Sequence, residues 1–421
     1  MHIRMEKKYR DNFICNSYTI YSDMNIGLAM LIVLLSICLL VIYKLIMTED
    51  NCNINEHMIN ISPDIKPSWN RNKCKFYMND TLKNVLKNNN IKQSDKWNVY
   101  FPCGYDDISK EIESMPEKDG AKYFIINNAD NMTAKEWLWQ YVVKHHGFAK
   151  AKTMMPTTYV LSNQIDFNEL KTNYREGNLY IMKKNVQRQE GLKITNKLSD
   201  LANGKKDGYV IAQELLQNPY TIDGRKTNMR FYVLVVCKDD DTNVYVHNNG
   251  FMYYTRDKFI KGSTEVGPNI TTGYIDRQVY IDNPLTHEDL RLYLDKEREL
   301  NKIEQNVREQ GMKISNVYFG KIYQLIREVF TSFLGRICGG KKLKTNVTFQ
   351  LFGIDIGVDE NLNPMIMEIN KGPDMGAKDK RDSDVKHGVI ADMMNIIGAV
   401  SDRRSNGFIN IIEFENGTLR I

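Results

Sequence analysis

The chain has 421 residues, 42% hydrophobic and 26% charged, with a net charge of +5. That length exceeds one ordinary domain and supplies ample apolar surface for a core. The mild positive charge, with no zinc-finger spacing and no basic heptad array, argues against a nucleic-acid-binding face.

Residues 1–25 form a polar tail carrying Arg4, Lys7, Lys8 and Arg10. Residues 26–43, IGLAMLIVLLSICLLVIY, are eighteen residues without a charge, the lower length of a transmembrane helix. The run is longer than the apolar part of a cleaved signal, and Lys44-Leu45-Ile46-Met47 follows it rather than small residues, so an uncleaved single-pass anchor over 26–46 is expected. Basic residues before it, against Lys44, Glu49 and Asp50 after it, lean toward a cytoplasmic N-terminus. That orientation carries the rest of the chain across the membrane, where sequons at Asn60, Asn79 and Asn131 permit glycosylation. Orientation and the identity of the membrane stay open.

Residues 47–95 are polar, Asn-rich and without periodicity, and read as a stalk. From Trp97, WNVYFPCGY and AKYFIINNA read as strands and 133–146 as a helix, giving a small α/β N-terminal subdomain over 96–175. Strands at 157–161 and 179–183 lead into a central subdomain bounded at 176–262. The remainder, 263–421, combines an amphipathic helix at 317–334, a hairpin and a closing helix at 384–397. Gly335 to Lys341 imitates the start of a phosphate-binding loop, but Lys342 follows instead of Ser or Thr and a helix precedes it, so glycines ending a helix explain it better. The seven cysteines are odd in number and show no metal spacing. Cys38 and Cys237 are explained by packing, while Cys52, Cys74 and Cys103 would pair only if their region faces a lumen.

Two segments carry chemistry. In 349–370, FQLFGIDIGVDENLNPMIMEIN, two apolar runs flank a polar loop and read as a β-hairpin. Alternation puts Glu368 and Asn370 on one face, Met367 and Ile369 on the other, and pairing Val358 with Met365 sets Asp355 opposite Glu368. Two carboxylates and an amide at cross-strand distance repel unless a cation sits between them, and an all-oxygen set suits Mg²⁺. In the second segment Lys226, Asn228 and Arg230 alternate along a strand and share a face opposite Thr227, Met229 and Phe231. A Lys and an Arg on one half-buried face make a cradle for phosphate or carboxylate. Each segment alone also fits a strand with one solvated face; together they point to nucleotide phosphoryl chemistry.

The order Lys183, Gln213-Glu214-Leu215-Leu216, Asn218-Pro219, Ile222-Asp223-Gly224-Arg225-Lys226, Arg230-Phe231-Tyr232-Val233-Leu234-Val235, Phe352-Gly353-Ile354-Asp355 and Glu368-Ile369-Asn370 resembles the tubulin-tyrosine ligase-like family, over roughly residues 97–398. The Asn-, Lys- and Ile-rich usage of an AT-rich genome makes the chain similar to members encoded by large DNA viruses. The resemblance implies an α/β ATP-grasp ligase with N-terminal, central and C-terminal subdomains. Such a ligase uses ATP and Mg²⁺ to join tyrosine, glutamate or glycine to a protein tail such as that of tubulin, through an acyl phosphate. It places Lys183 on the α and β phosphates, Gln213, Glu214, Leu215 and Leu216 at the adenine hinge, and Lys135 as a further nucleotide contact. Lys226, Asn228 and Arg230 fall on the nucleotide- and substrate-facing strand, and Asp355, Glu368 and Asn370 on the metal ligands. Lys226, Arg230 and Glu368 are the expected catalytic groups.

The chain departs from that pattern in three places. Asn228 replaces a carboxylate in the Lys-Phe-Asp-x-Arg motif, and Tyr253 stands where an arginine usually helps to hold the incoming amino acid, with Arg256 the nearest replacement. The loop after Lys183, Gln187 to Leu192, keeps a single glycine. ATP, Mg²⁺, an amino acid, an acidic protein tail and a membrane are therefore the expected partners, and nucleic acid is not. A ligase for small carboxylates and amines, or an anchored binding module that has lost catalysis, are the alternatives.

Overall fold

The structure is a computed structural model that describes residues 67–412, apart from 75–76, 186–190, 239–240, 273–275 and 401–404, with the backbone of short strands at Phe414–Glu415 and Thr418–Leu419. Among the described residues no helix is long and apolar enough to cross a membrane. The expected anchor at 26–46 and most of the loop after Lys183 lie outside the described residues.

Two sheets organise the chain. The first strands are β1 (Ser68–Arg71), β2 (Lys92–Gln93), β3 (Val99–Phe101) and β4 (Lys122–Tyr123). A small antiparallel sheet follows, built from β5 (Thr158–Val160), β6 (Tyr180–Lys183), β7 (Leu192–Thr195) and β8 (Ile211–Glu214) in the order β5-β8-β6-β7. The large sheet then continues with β9 (Thr221–Ile222), β10 (Arg225–Lys238), β11 (Asp241–His247), β12 (Phe251–Thr255), β13 (Thr271–Thr272), β14 (Val347–Val358), β15 (Pro364–Asn370) and β16 (Phe408–Asn410). Its main path runs β13-β12-β10-β14-β4-β3-β1-β2, with β15 on β14, β9 and β11 on β10, and β16 on β11.

The two long central strands follow from their sequences. Asp223 and Gly224 have φ of 49° and 68°, the left-handed pair of a tight hairpin turn, so β9 folds back onto β10 with Ile222 opposite Arg225. The Val- and Leu-rich run Val233 to Val236 buries completely or nearly so, on both faces, as expected of a central strand. On the face of Phe231, the ring lies 4.1 Å from His287 and 6.1 Å from Phe319. These belong to helices His287–Asp295 and Ile314–Thr331, which seal that side. The other face of β10 and β14 is left for polar groups.

Three expectations need correction. Residues 67–95 are not a stalk. Strand β1 pairs with both β2 and β3, and helix Asp80–Asn88 buries Thr81, Leu82, Val85 and Leu86, a stripe of helical period hidden within an Asn-rich stretch. Asn79 caps that helix by accepting from the Thr81 amide, and the Thr81 hydroxyl donates to the Met375 carbonyl at 2.6 Å. The subdomain bounds also fall elsewhere than the sheets do: the small sheet occupies 158–214, while β10 and β12 belong to the large one. Finally, Cys237 is not merely packed. It is bonded to Cys338, and Cys74 is bonded to Cys103.

Leu86, 2% exposed, therefore lies in the core. Leu86→Ala is expected to lower the unfolding free energy by about 2–4 kcal/mol in a urea titration, whereas a stalk residue would leave it unchanged.

Candidate active site

Antiparallel pairing of β10 with β14 brings Asn228 opposite Gly357, Arg230 opposite Asp355 and Tyr232 opposite Gly353. Arg230 forks onto Asp355, with Nε donating to Oδ1 at 2.6 Å and Nη2 to Oδ2 at 3.0 Å. The two side chains are 13% and 14% exposed, so the pair is largely withdrawn from water. Gly353 makes room for it, because a Cβ there would meet Pro373 at 2.9 Å and Arg230 Cδ at 3.1 Å.

Asp355 stands opposite Glu368 as expected, but by another register. Val358 pairs with Pro364, not Met365, and a bulge between Asp355 and Ile356 restores the alignment. The extra residue of the bulge changes a face. Met367, expected on the opposite side from Glu368, brings its Sδ over Gly357, beside Asn228 Oδ1 and Leu216. Asn370 turns its amide nitrogen to Glu368 Oε1 at 3.2 Å, which leaves its own oxygen as a further donor to a cation.

Across from this face, Lys183 at the end of β6 reaches the same space. Its Nζ donates to Gln213 Oε1 at 2.9 Å, and Gln213 in turn donates to Thr158. The hinge thus spends the Gln213 side chain on the lysine, while the amides of Glu214 and Leu215 donate to Thr157 and Leu179. Burial raises the Glu214 carboxyl. Leu215 and Leu216 are buried and supply an apolar wall. Lys135 opens helix Lys135–His146 and is near enough to act on both Lys183 and Glu368. A bond of 2.6 Å from Lys371 to Asp130 ties the end of β15 to the short helix Asp130–Thr133 before that helix.

The electrostatics are those of a site prepared for a polyanion and a cation together. Burial pulls Lys226 down to about 8, with Lys183 adding to the effect. Burial also lowers Lys183, against the pull of Glu368. Burial raises Asp355 against Arg230, and Glu368 contributes to that rise. Burial acts on Glu368 the same way, but Lys183, the Asn370 amide and Arg230 together hold it below its ordinary value. Buried cations that sit close together are relieved by phosphate, and buried carboxylates by a metal ion.

The residues fit ATP and Mg²⁺ on three observations. Asn228 Oδ1 is buried without a hydrogen-bond partner and stands over Gly357, where any Cβ would crowd it at 3.3 Å. Asp355, Glu368 and Asn370 offer only hard oxygen donors. The cations Lys183, Lys226 and Arg230 come from two sheets to one face. Two residues of this face escaped the sequence analysis. Tyr232, two positions beyond Arg230, has a buried hydroxyl with no partner, and the alternation that marked Lys226, Asn228 and Arg230 extends to it. Met367 was hidden by the bulge. Tyr253, opposite Asn228, lies under the Arg230 guanidinium at 5.3 Å, and burial pushes its phenol up to about 12. Arg256, the nearest replacement for the missing arginine, is exposed and pairs with Asp257 at 3.4 Å.

Comparison with known proteins agrees with this geometry. Residues 117–406 match the tubulin-tyrosine ligase family, and the chain belongs to that family. Similar proteins include the probable tubulin polyglutamylase ttll-9 of Caenorhabditis elegans, 27% identical over 66% of this chain and 64% of the relative. The probable beta-tubulin polyglutamylase of Tetrahymena thermophila is 23% identical over 61% of this chain and 22% of its own length. Tubulin polyglutamylase TTLL7 of Mus musculus is 24% identical over 60% and 29%. The match spans less than two thirds of the length of each of these relatives.

Lys226 in the free site loses its proton as pH rises through about 8, and a bound triphosphate would return it. ATP affinity is therefore expected to fall about tenfold for the unit of pH above that value, measured by calorimetry. Lys226→Met should bind more weakly and flatten this dependence.

Proposed function

We propose that this member of the tubulin-tyrosine ligase family is an ATP- and Mg²⁺-dependent ligase that joins an amino acid to a protein or peptide tail through an amide bond. The observation that carries the reading is the convergence of Lys183, Lys226 and Arg230 with Asp355, Glu368 and Asn370 on one buried face. Glutamate is the first amino acid to test and tubulin the first acceptor, because the relatives are described as tubulin polyglutamylases.

A carboxylate is a poor acyl donor. In the proposed route its oxygen takes the γ-phosphoryl group and ADP departs; the amine then attacks the acyl carbon, loses a proton and displaces phosphate. Lys183 and Lys226 hold the phosphates, and Arg230 faces the charge that develops during transfer. Asp355, Glu368 and Asn370 would hold Mg²⁺, which supplies charge neutralisation between phosphate oxygens. No protein nucleophile is needed, and positioning supplies much of the acceleration. The hinge residues Gln213, Glu214, Leu215 and Leu216 would take the base, with Lys135 a further contact to the nucleotide. The same atoms would serve a ligase for small carboxylates and amines. Tyr253 over Arg230 favours an altered amine substrate in either case. Residues 26–46 would anchor the enzyme in a membrane.

Glu368→Gln is expected to cut label incorporation roughly a hundredfold or more with an unchanged unfolding midpoint; the assay is ATP-dependent transfer of radiolabelled amino acids to tubulin and total cell protein. Normal turnover in that variant would remove the metal assignment. Asn228→Asp, which restores a carboxylate, should turn over at least as fast as the natural chain in the same assay.

A further inference from the structure

All four cysteines of the described residues are paired. The Cys74–Cys103 bond joins the segments that follow β1 and β3, two strands already in parallel pairing. The Cys237–Cys338 bond spans 101 residues and ties the far end of β10 to the turn-rich segment after helix Ile314–Thr331. The opposite end of β10 carries Lys226, Asn228 and Arg230, so this bond fixes the strand on which the site is built.

Packing alone does not account for the second pair. Cys338 is half-buried and held at φ of 68°, a left-handed backbone that a residue with a side chain adopts at a cost. Its amide donates to the Asn127 carbonyl, and the Thr242 hydroxyl donates to its sulfur at 3.4 Å. The backbone is bent to deliver this sulfur to β10. Two such pairs in one domain would stay open in the reducing cytosol, where disulfides are rare, and close where an oxidant is supplied. The basic residues Arg4, Lys7, Lys8 and Arg10, on the N-terminal side of the expected anchor, point the same way.

We propose that residues 67–412 mature and act on the oxidising side of a membrane with both cysteine pairs closed, so that the acceptor in the cell is a tail exposed on that side and tubulin serves as a test substrate in vitro. The acceptor's location rests on the function proposed above; the cysteine chemistry stands without it. Each pair closes by exchange with an oxidised dithiol catalyst. One thiolate attacks the catalyst's disulfide, the second displaces the catalyst as a dithiol, and two electrons and two protons pass to it. The inference concerns oxidation and not glycosylation. Asn269 and Asn346 also stand in Asn-x-Thr sequences, but they are buried and donate to backbone carbonyls, so a chain folded this way carries no glycan there.

The test uses the full chain in the membranes of a eukaryotic host. Free thiols are alkylated under acid quench, the protein is reduced, and newly freed thiols receive a second, heavier label read by peptide mass spectrometry. Cys74, Cys103, Cys237 and Cys338 should carry only the second label, and protease added to intact vesicles from the cytosolic side should spare the domain. First label on either pair, or digestion of the domain in intact vesicles, would overturn the inference. The double variant Cys237→Ser, Cys338→Ser should melt roughly 5–10 °C lower, and an unchanged midpoint would also count against it. Closed pairs in a protected domain without ligase turnover would support this inference while counting against the proposed function.

Discussion

The fork of Arg230 onto Asp355 ties two central strands together at a point where a cation and a carboxylate are both largely withdrawn from water. Because the two residues face each other in an antiparallel register, their pairing sets the neighbours on either side: Asn228 over Gly357 toward the hinge, Tyr232 beside Gly353 away from it. Removing one partner of such a pair leaves a buried charge and costs about 3–5 kcal/mol. The arrangement is therefore expensive to disturb, and it holds Asp355 so that its remaining lone pairs stay available to a metal ion.

Around that pair the charges are unbalanced in a purposeful way. Lys183 and Lys226 arrive from different sheets, buried and close enough for Lys183 to depress Lys226, while Glu368 is raised by burial and lowered again by Lys183. A domain selected for stability alone would replace these groups with apolar ones of similar volume. Their retention makes physical sense if the opposing charges arrive with a ligand, phosphates for the lysines and a divalent cation for the carboxylates. The face opposite, filled by Phe231, His287 and Phe319, supplies the rigidity that lets one side of the sheet remain polar.

Much of this site was legible because strand periodicity is strict. Lys226, Asn228 and Arg230 share a face, and Asp355 meets Glu368, as alternation requires. The second result came out despite a bulge, since the shift in the hairpin and the inserted residue cancel before Glu368 is reached. Met367 shows what the rule cannot see, as the inserted residue moved its sulfur onto the polar face. The helix Asp80–Asn88 was masked by composition: its apolar stripe is short, and the Asn-rich stretch around it dilutes the pattern. The partner of Cys237 was illegible for a different reason. A bond spanning 101 residues leaves no local trace, and only the folded path of the segment after helix Ile314–Thr331 brings the two sulfurs together.

The most direct test of the account is to locate the ions. Crystals of the ligase domain grown with a non-hydrolysable ATP analogue and Mn²⁺ in place of Mg²⁺ would place the metal by its anomalous signal. The account predicts manganese bound by oxygens of Asp355, Glu368 and Asn370, with phosphates against Lys183 and Lys226 and the base beside Leu216. Nucleotide bound elsewhere, or a metal that ignores those three residues, would contradict it.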